Sequence, residues 1–434
     1  MKPAGSHNRQ THETGRLGKP AGSCKRTPAV RDLPYGRPMS HSRPRIDTAG
    51  RRARLGRRHL LAPACRAGRP EEVADALVAL HATDAATVHL AACARLTVPD
   101  PAEVERALYD DHTLVRLLSM RRTLFAVGAG LAPVVSSSTG RAIAAKERAG
   151  LVGWLATGVG WDERRLAEVE EKTLAALAAR GTAAAAELTE DVPALRESVV
   201  VSPGKPYEAT VAVSSRLLRV LAAEGRVRRG RPRGGWTSSS FRWTPGTAFA
   251  DLPAPPAAEA RAALARRWLA AYGPATVEDL KWWTGWTLTD TRRAVAATDA
   301  VEVTLDGGTT GLALPDDLGP VPEPEPWATL LPALDPTAMG WKARDWYLDP
   351  EHVPQLFDRS GNIGPTVWWN GRIIGGWAQR PDGEIVWRLL TGDGGGEAAD
   401  AVTDEAARLA AWVGPVRITP RFRTPLEREL SGRR

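Results

Sequence analysis

The sequence predicts an α+β fold: three tandem helix-rich segments, each closed by a β-hairpin as in a winged helix, followed by a strand-rich C-terminal domain. Two observations carry the repeat. A helix that stops at a glycine, a short helix, a further helix and a glycine-turned hairpin occur in that order twice, around Gly181 and around Gly273. Glu187-Leu188 and Asp279-Leu280 then stand at equal offsets after those glycines. A third observation sets the C-terminal style, where Thr366 to Trp377 reads as strand, Asn-Gly turn and strand, the strongest short hairpin signal in the chain.

Residues 1–50 are rich in Gly, Pro, Ser, His and Arg without periodicity, the composition of a disordered basic leader. This stretch reads as a loosely held phosphate-binding arm or as an unstructured extension with Met39 as the true start. In the first segment, residues 51–150, Arg51 to His59 and Pro70 to Leu80 are predicted helices, the latter with Val73, Leu77 and Leu80 on one face. Val104 to Tyr109 adds a short helix, and Val115 to Val127 turns to strand character and supplies the wing. The second segment, 151–255, has helices over 164–180, 183–188 and 211–223 and a hairpin over 226–243. The third, 256–320, has helix 258–272, a capping pair of Thr276 and Asp279, a helix through Ala297, and a strand running from Val301 to a turn at Gly307-Gly308. After the proline-rich linker 315–326, residues 327–434 carry the Asn370-Gly371 hairpin, a strand 385–390, a helix 397–412 and a last strand 416–422.

Composition narrows the function. The chain has 434 residues and a formal charge of +8. The first 50 residues account for +7 of it, so the remaining body is nearly neutral and any nucleic-acid affinity must come from local arginine clusters. Cys24, Cys65 and Cys93 have no metal-ligand or paired spacing and read as reduced thiols. No P-loop, dinucleotide-binding or metalloprotease signature is present, so neither a cofactor nor a metal is expected. With no bilayer-length apolar run and no signal-peptide core, a monomeric cytoplasmic protein is expected.

Two segments carry the chemistry. Leu80-His81-Ala82-Thr83-Asp84 precedes, by about thirty-five residues, Leu117-Leu118-Ser119-Met120-Arg121-Arg122-Thr123-Leu124-Phe125. Together they resemble the AlkZ/YcaQ-like winged-helix DNA glycosylase superfamily, whose members are also described as winged helix DNA-binding domain-containing proteins. There a Leu-Gln-x-Gln-Asp or Gln-x-Asp segment holds the base-excision site, and a Met-Arg-Gly-Thr-Leu-like strand comes after it. In this chain His81 and Thr83 occupy the two glutamine positions. The resemblance implies three winged helices, a small C-terminal β-barrel over 327–434, and excision of alkylated bases from double-stranded DNA.

That reaction breaks an N-glycosidic bond through an oxocarbenium-like sugar, with a leaving base already cationic. It needs a polar group to hold water and to stabilise developing charge. In an extended segment His81 and Thr83 point the same way and converge on one water, with imidazole as acceptor, hydroxyl as orienter and Asp84 as a neighbouring carboxylate. A neutral imidazole acceptor would tie activity to the histidine range near 6.5. The same residues also fit a plain capping role at the next helix, with Thr83 as cap and Asp84 in the first turn.

Arg226, Arg228, Arg229, Arg231 and Arg233 flank Gly230 and are read as the tip of the second hairpin, placed for phosphate contact or simply solvated. Arg121 and Arg122, as strand neighbours, point to opposite faces, one toward DNA and the other to the interior or to Asp110 or Asp111. Met120, Leu124 and Phe125 read as core. Trp282, Trp283, Trp286, Trp341 and Trp346 read as packing, with base stacking beside Lys342 and Arg344 as the other possibility. The function expected is a DNA glycosylase-like repair protein. The alternative is a non-catalytic DNA-binding or regulatory protein on the same scaffold, and a third reading is an interaction module whose arginine hairpin faces no concave surface.

Overall fold

In the computed structural model, which describes residues 43–246 and 253–432, the folded body begins earlier than residue 51. Ile46 is buried against Val303, Leu305 and Ala313, and its amide bonds to the Thr304 carbonyl at 3.0 Å. Arg43 and Arg45 pair with Glu302 and Asp306. Residues 43–50 therefore leave the expected leader, because an apolar anchor and two ion pairs hold them to a third-segment hairpin. Met39 and Cys24 lie outside the described residues.

Asp47 caps α1 (Thr48–Arg58) by accepting the Gly50 amide. Next come α2 (Pro70–Ala76), β1 (Leu80–His81), α3 (Ala85–Cys93) and α4 (Pro101–Glu105). The helix expected to run to Leu80 stops at Leu77, since Val78 takes a left-handed φ of 63° and Leu80 and His81 pair with a strand. The expected wing is a hairpin of β2 (Leu114–Ser119) and β3 (Thr123–Gly128), in a sheet of order β1-β3-β2. Beyond β3 the chain forms three elements that sequence reading missed: α5 (Ala132–Val135), a π-helical turn at Ser136–Gly140, and α6 (Arg141–Val159).

The second segment continues with α7 (Glu163–Arg180), α8 (Ala185–Asp191), an unforeseen hairpin of β4 (Ser198–Val201) and β5 (Ala209–Ala212), α9 (Val213–Ala223), and the hairpin of β6 (Val227–Pro232) and β7 (Phe241–Pro245). α9 buries Val213, Leu217, Leu218 and Leu221 on one face, as its amphipathic spacing requires. That face joins Leu155, Leu166 and Leu177 in a core drawn from the second segment and the end of α6.

The third segment has α10 (Ala257–Tyr272), α11 (Val277–Thr284), α12 (Leu288–Ala296) and the hairpin of β8 (Val301–Thr304) and β9 (Thr310–Ala313). The repeat offset has a physical meaning. Glu187 accepts the Ala184 amide at 2.7 Å and Asp279 accepts the Thr276 amide at 3.0 Å, so both acids reach back over the start of a short helix. The expected Thr276–Asp279 cap is formed in both directions.

The C-terminal part adds β10 (Ala328–Leu331), α13 (Val353–Leu356), β11 (Thr366–Trp369), β12 (Arg372–Gln379), β13 (Ile385–Leu389), α14 (Gly395–Val413) and α15 (Pro425–Ser431). The strands form an antiparallel sheet in that order, with Asn370 and Gly371 in positive φ at the β11–β12 turn as predicted. Among the described residues no ladder joins β13 back to β10, so hydrogen bonds do not close the expected barrel. The strand expected over 416–422 does not form. Pro415 and Pro420 offer no amide there, the Val416 amide turns back to the Val413 carbonyl, and side chains take two more, with Gln379 accepting from Ile418 at 2.7 Å and Asp84 from Arg421 at 2.8 Å.

The first segment, the third and the C-terminal part share one large core, which includes Leu55, Phe125, Trp268, Trp283, Trp341 and Trp368. At its centre the Arg95 and Asp335 side chains are fully buried. Arg95 meets both carboxylate oxygens, at 2.9 and 2.7 Å, and gives its remaining donors to Thr337 and to the carbonyls of His59 and Ala91. His59 bridges Thr337 and the Ala271 carbonyl beside it.

Removing one charge leaves the other buried and unpaired. Asp335→Ala should lower unfolding stability by about 3–5 kcal/mol in denaturant titrations, and replacing both partners by apolar residues should recover much of the loss. His59, His81 and His89 are buried, and burial holds each imidazole down to about 3. Each stays neutral when folded while the unfolded form takes a proton near 6.5. Stability is therefore full above that pH and should fall by about 1.4 kcal/mol per pH unit per histidine as pH drops toward 3, measured as proton uptake on unfolding.

Candidate functional site

The β2–β3 turn sets the site. Arg121 and Arg122 are not strand neighbours but occupy the turn itself, with left-handed φ of 54° and 60°, a conformation uncommon for residues with a side chain. Gly285 permits the approach, because a Cβ there would come within 3.2 Å of the Arg121 amide nitrogen. Arg121 lies 4.1 Å over the Trp282 ring, and burial together with Arg344 lowers its guanidinium to about 10. Arg122 pairs with Glu147 of α6. Asp110 and Asp111, offered as partners for one of the two arginines, bind Arg231 and Arg106 instead.

The turn borders a cleft of about 490 Å³. The first segment contributes Thr83, Arg116, Arg121 and Arg122, α9 contributes Arg219, and β6 contributes Arg228 and Arg229. Arg421 enters from the irregular C-terminal stretch, and Glu147 is the one carboxylate among the lining residues. Arg122 apart, these arginines have no ion pair among the described residues. The Nε atoms of Arg116 and Arg121 are buried without a partner. Burial first, then Arg116, Arg219 and Arg421, pull Arg229 down to about 10, while burial lowers Arg228.

The predicted arginine run divides. It lies along β6, not at the hairpin tip, since the turn falls beyond Pro232. Arg228 and Arg229 face the cleft. Arg226 pairs with Glu170, Arg231 with Glu105 and Asp110, and Arg233 with Glu187, so these three are engaged in ion pairs.

The His81–Asp84 segment also divides. Thr83 lines the cleft, and its hydroxyl oxygen is buried without a hydrogen-bond partner. His81 lies behind the wall, 5.0 Å from the Phe125 ring, with Nδ1 unpartnered. Its imidazole is neutral through the whole range near 6.5, which removes the expected pH signature. Asp84, and not Thr83, caps α3 by accepting the Ala86 amide at 3.1 Å, and its other oxygen holds the Arg421 amide. The carboxylate expected beside the reacting centre is thus engaged in structure.

Arg116, Arg219 and Arg421 were missed. Arg116 is legible as a lone charge inside the apolar run Leu114 to Leu118, and Arg219 as the helical residue opposite Leu217, Leu218 and Leu221. No sequence signal marks Arg421. Met120 and Phe125 are buried as predicted, whereas Leu124 lines the cleft. Trp283, Trp286, Trp341 and Trp346 are core, and the half-buried Trp282 carries Arg121 and Arg344 on its ring.

Comparison with known proteins bears on this geometry. No curated protein matches the chain. The solved structure of the Streptomyces sahachiroi DNA glycosylase AlkZ is similar, with a TM-score of 0.64 at 22% identity over 86% of this chain and 98% of that one, a likeness of fold. A family model described as DNA glycosylase AlkZ-like matches residues 74–412. That span holds every cleft residue except Arg421, and the chain belongs to the AlkZ-like DNA glycosylase family.

Proposed function

We propose that the protein excises alkylated bases from double-stranded DNA by hydrolysing the N-glycosidic bond, on a scaffold of three winged helices over 51–150, 151–255 and 256–320 followed by the strand-rich domain 327–434. One observation carries the reading: arginines without ion pairs converge on a cleft whose wall includes Thr83. Outside residues 1–50 the chain is nearly neutral, so this concentration of like charge is a local cost that only an anion offsets. DNA phosphates supply that anion, and guanidinium forks match their geometry.

Phosphate contact also serves the chemistry. Bare arginines would disfavour the cationic sugar of the transition state, and seated phosphates cancel that effect. An alkylated base leaves as a neutral molecule and needs no acid. Thr83, whose hydroxyl is buried without a protein partner, turns that hydroxyl into the cleft to orient the attacking water. His81, neutral and packed on Phe125, supports the strand that delivers Thr83. Glu147 lines the cleft but is engaged by Arg122.

Replacing Arg228 and Arg229 together by Ala should weaken duplex binding irrespective of sequence and flatten the log–log salt slope by roughly 2. Arg233→Ala should leave both nearly unchanged. Unaltered affinity in a folded double variant would remove the cleft from the DNA interface.

Incubation with an alkylated duplex should yield abasic sites, and Thr83→Val should slow their formation by roughly tenfold to hundredfold with affinity retained. The rate should show no histidine titration near 6.5, because His81 is neutral down to about 3. A midpoint near 6.5 that vanishes in His81→Ala would contradict this placement. Duplex binding without any base release would leave a DNA-binding protein and not an enzyme.

A further inference from the structure

A smaller cavity adjoins the cleft, lined by Tyr109, Pro232, Ser238, Ser239 and Phe241 among others. Four residues belong to the walls of both: Thr83, Arg116, Arg229 and Arg421. They come from distant parts of the chain, Arg116 from β2, Arg229 from β6 and Arg421 from the irregular stretch before α15. The sequence keeps the three arginines apart by more than a hundred residues in each case, and the fold brings them to one partition beside Thr83.

The three guanidinium groups share a second property. Each is held by an aromatic ring and not by a carboxylate: Arg116 by Tyr109 at 5.2 Å, Arg229 by Phe241 at 4.0 Å, Arg421 by Phe422 at 5.8 Å. An aromatic brace orients a guanidinium without neutralising it. Ion-paired arginines elsewhere in the same hairpin, such as Arg226 and Arg233, show the contrasting structural use. Arg116, Arg219 and Arg421 are also the charges that, after burial, depress Arg229, which places each within electrostatic reach of Arg229.

Arg421 needs a further device, because its segment has no ladder to fix it. Asp84 supplies one. One carboxylate oxygen caps α3 at Ala86 and the other accepts the Arg421 amide at 2.8 Å, tying the C-terminal stretch to the residue after Thr83.

The geometry points to a phosphate-binding cradle formed by Arg116, Arg229 and Arg421 around Thr83, with Asp84 as the positioning residue that delivers Arg421 to it. The inference rests on the DNA reading above for the source of the phosphate, a phosphodiester flanking the target nucleotide, while the cradle itself would also take a free phosphate. Arg421 lies beyond the span matched by the family model, so the match does not assign it.

A double-mutant cycle tests the cradle. Arg421→Ala should weaken binding to an alkylated duplex by roughly tenfold and reduce the salt slope by about 1. Asp84→Asn keeps one acceptor oxygen for the α3 cap but cannot both cap the helix and hold the Arg421 amide. It should weaken binding in the same direction while folding normally, and should add nothing in the Arg421→Ala background. Arg421→Lys, which keeps the charge without the fork, should fall between.

Wild-type affinity and slope in both single variants would overturn the cradle, as would fully additive losses, which assign Asp84 a separate structural effect. Inorganic phosphate distinguishes the sources. If it raises the melting temperature of wild type but not of Arg421→Ala while neither binds duplex, the cradle stands and the DNA reading fails. If duplex binds wild type and Arg421→Ala alike and phosphate stabilises neither, the cradle fails and the DNA reading stands.

Discussion

The fold turns on the buried pair of Arg95 and Asp335. A guanidinium and a carboxylate fully removed from water must satisfy each other and every remaining donor, and here they do, through Thr337 and the carbonyls of Ala91 and His59. That demand fixes the C-terminal end of α3 against the segment after β10. The other end of α3 is held by the Asp84 cap, next to Thr83. A helix of 9 residues, about 14 Å long, thus stands between a buried ion pair and the cleft wall. Such a pair contributes little net stability over an apolar substitute, but it tolerates one arrangement of the parts that surround it.

The second segment is built on the opposite principle. Its main apolar core is its own, although Trp236 packs with Ala86 and Leu90 of α3, and the cleft between it and the first segment is lined with charge. Some of these charges are matched, Arg231 with Glu105 and Asp110 across the seam and Arg122 with Glu147 within the first segment. Others are left open, and they gather around Thr83. Packing decides where the segments sit, and the unmatched arginines line the gap between them.

Much of this was legible in the sequence, and the failures have physical causes. Amphipathic periodicity located α7, α9, α10 and α14, and the Asn370-Gly371 turn located the C-terminal hairpin, because these are local signals. α6 was missed although it spans 19 residues, since its apolar positions show little helical stripe and its middle carries charge that pairs only across the fold. The charged run from Arg226 to Arg233 was visible, but which of its members remain unpaired depends on Glu105, Asp110, Glu170 and Glu187, all distant in the chain or on another element. Asp84 reads from sequence both as a catalytic carboxylate and as a first-turn residue of the next helix. A carboxylate one residue past Thr83 looks catalytic in a linear reading, whereas its two oxygens are taken by amides at Ala86 and Arg421, the second of them 337 positions away.

The central claim is that the arginine-lined seam, and not some other face, receives the duplex. Amide hydrogen exchange with and without an alkylated duplex tests it most directly, since it reports on the seam whether or not a base is released. Protection should concentrate at the β2–β3 turn, the C-terminal half of α9, β6 and the stretch around Arg421. Protection confined to surfaces remote from Thr83, with these four regions unchanged under saturating duplex, would contradict the account.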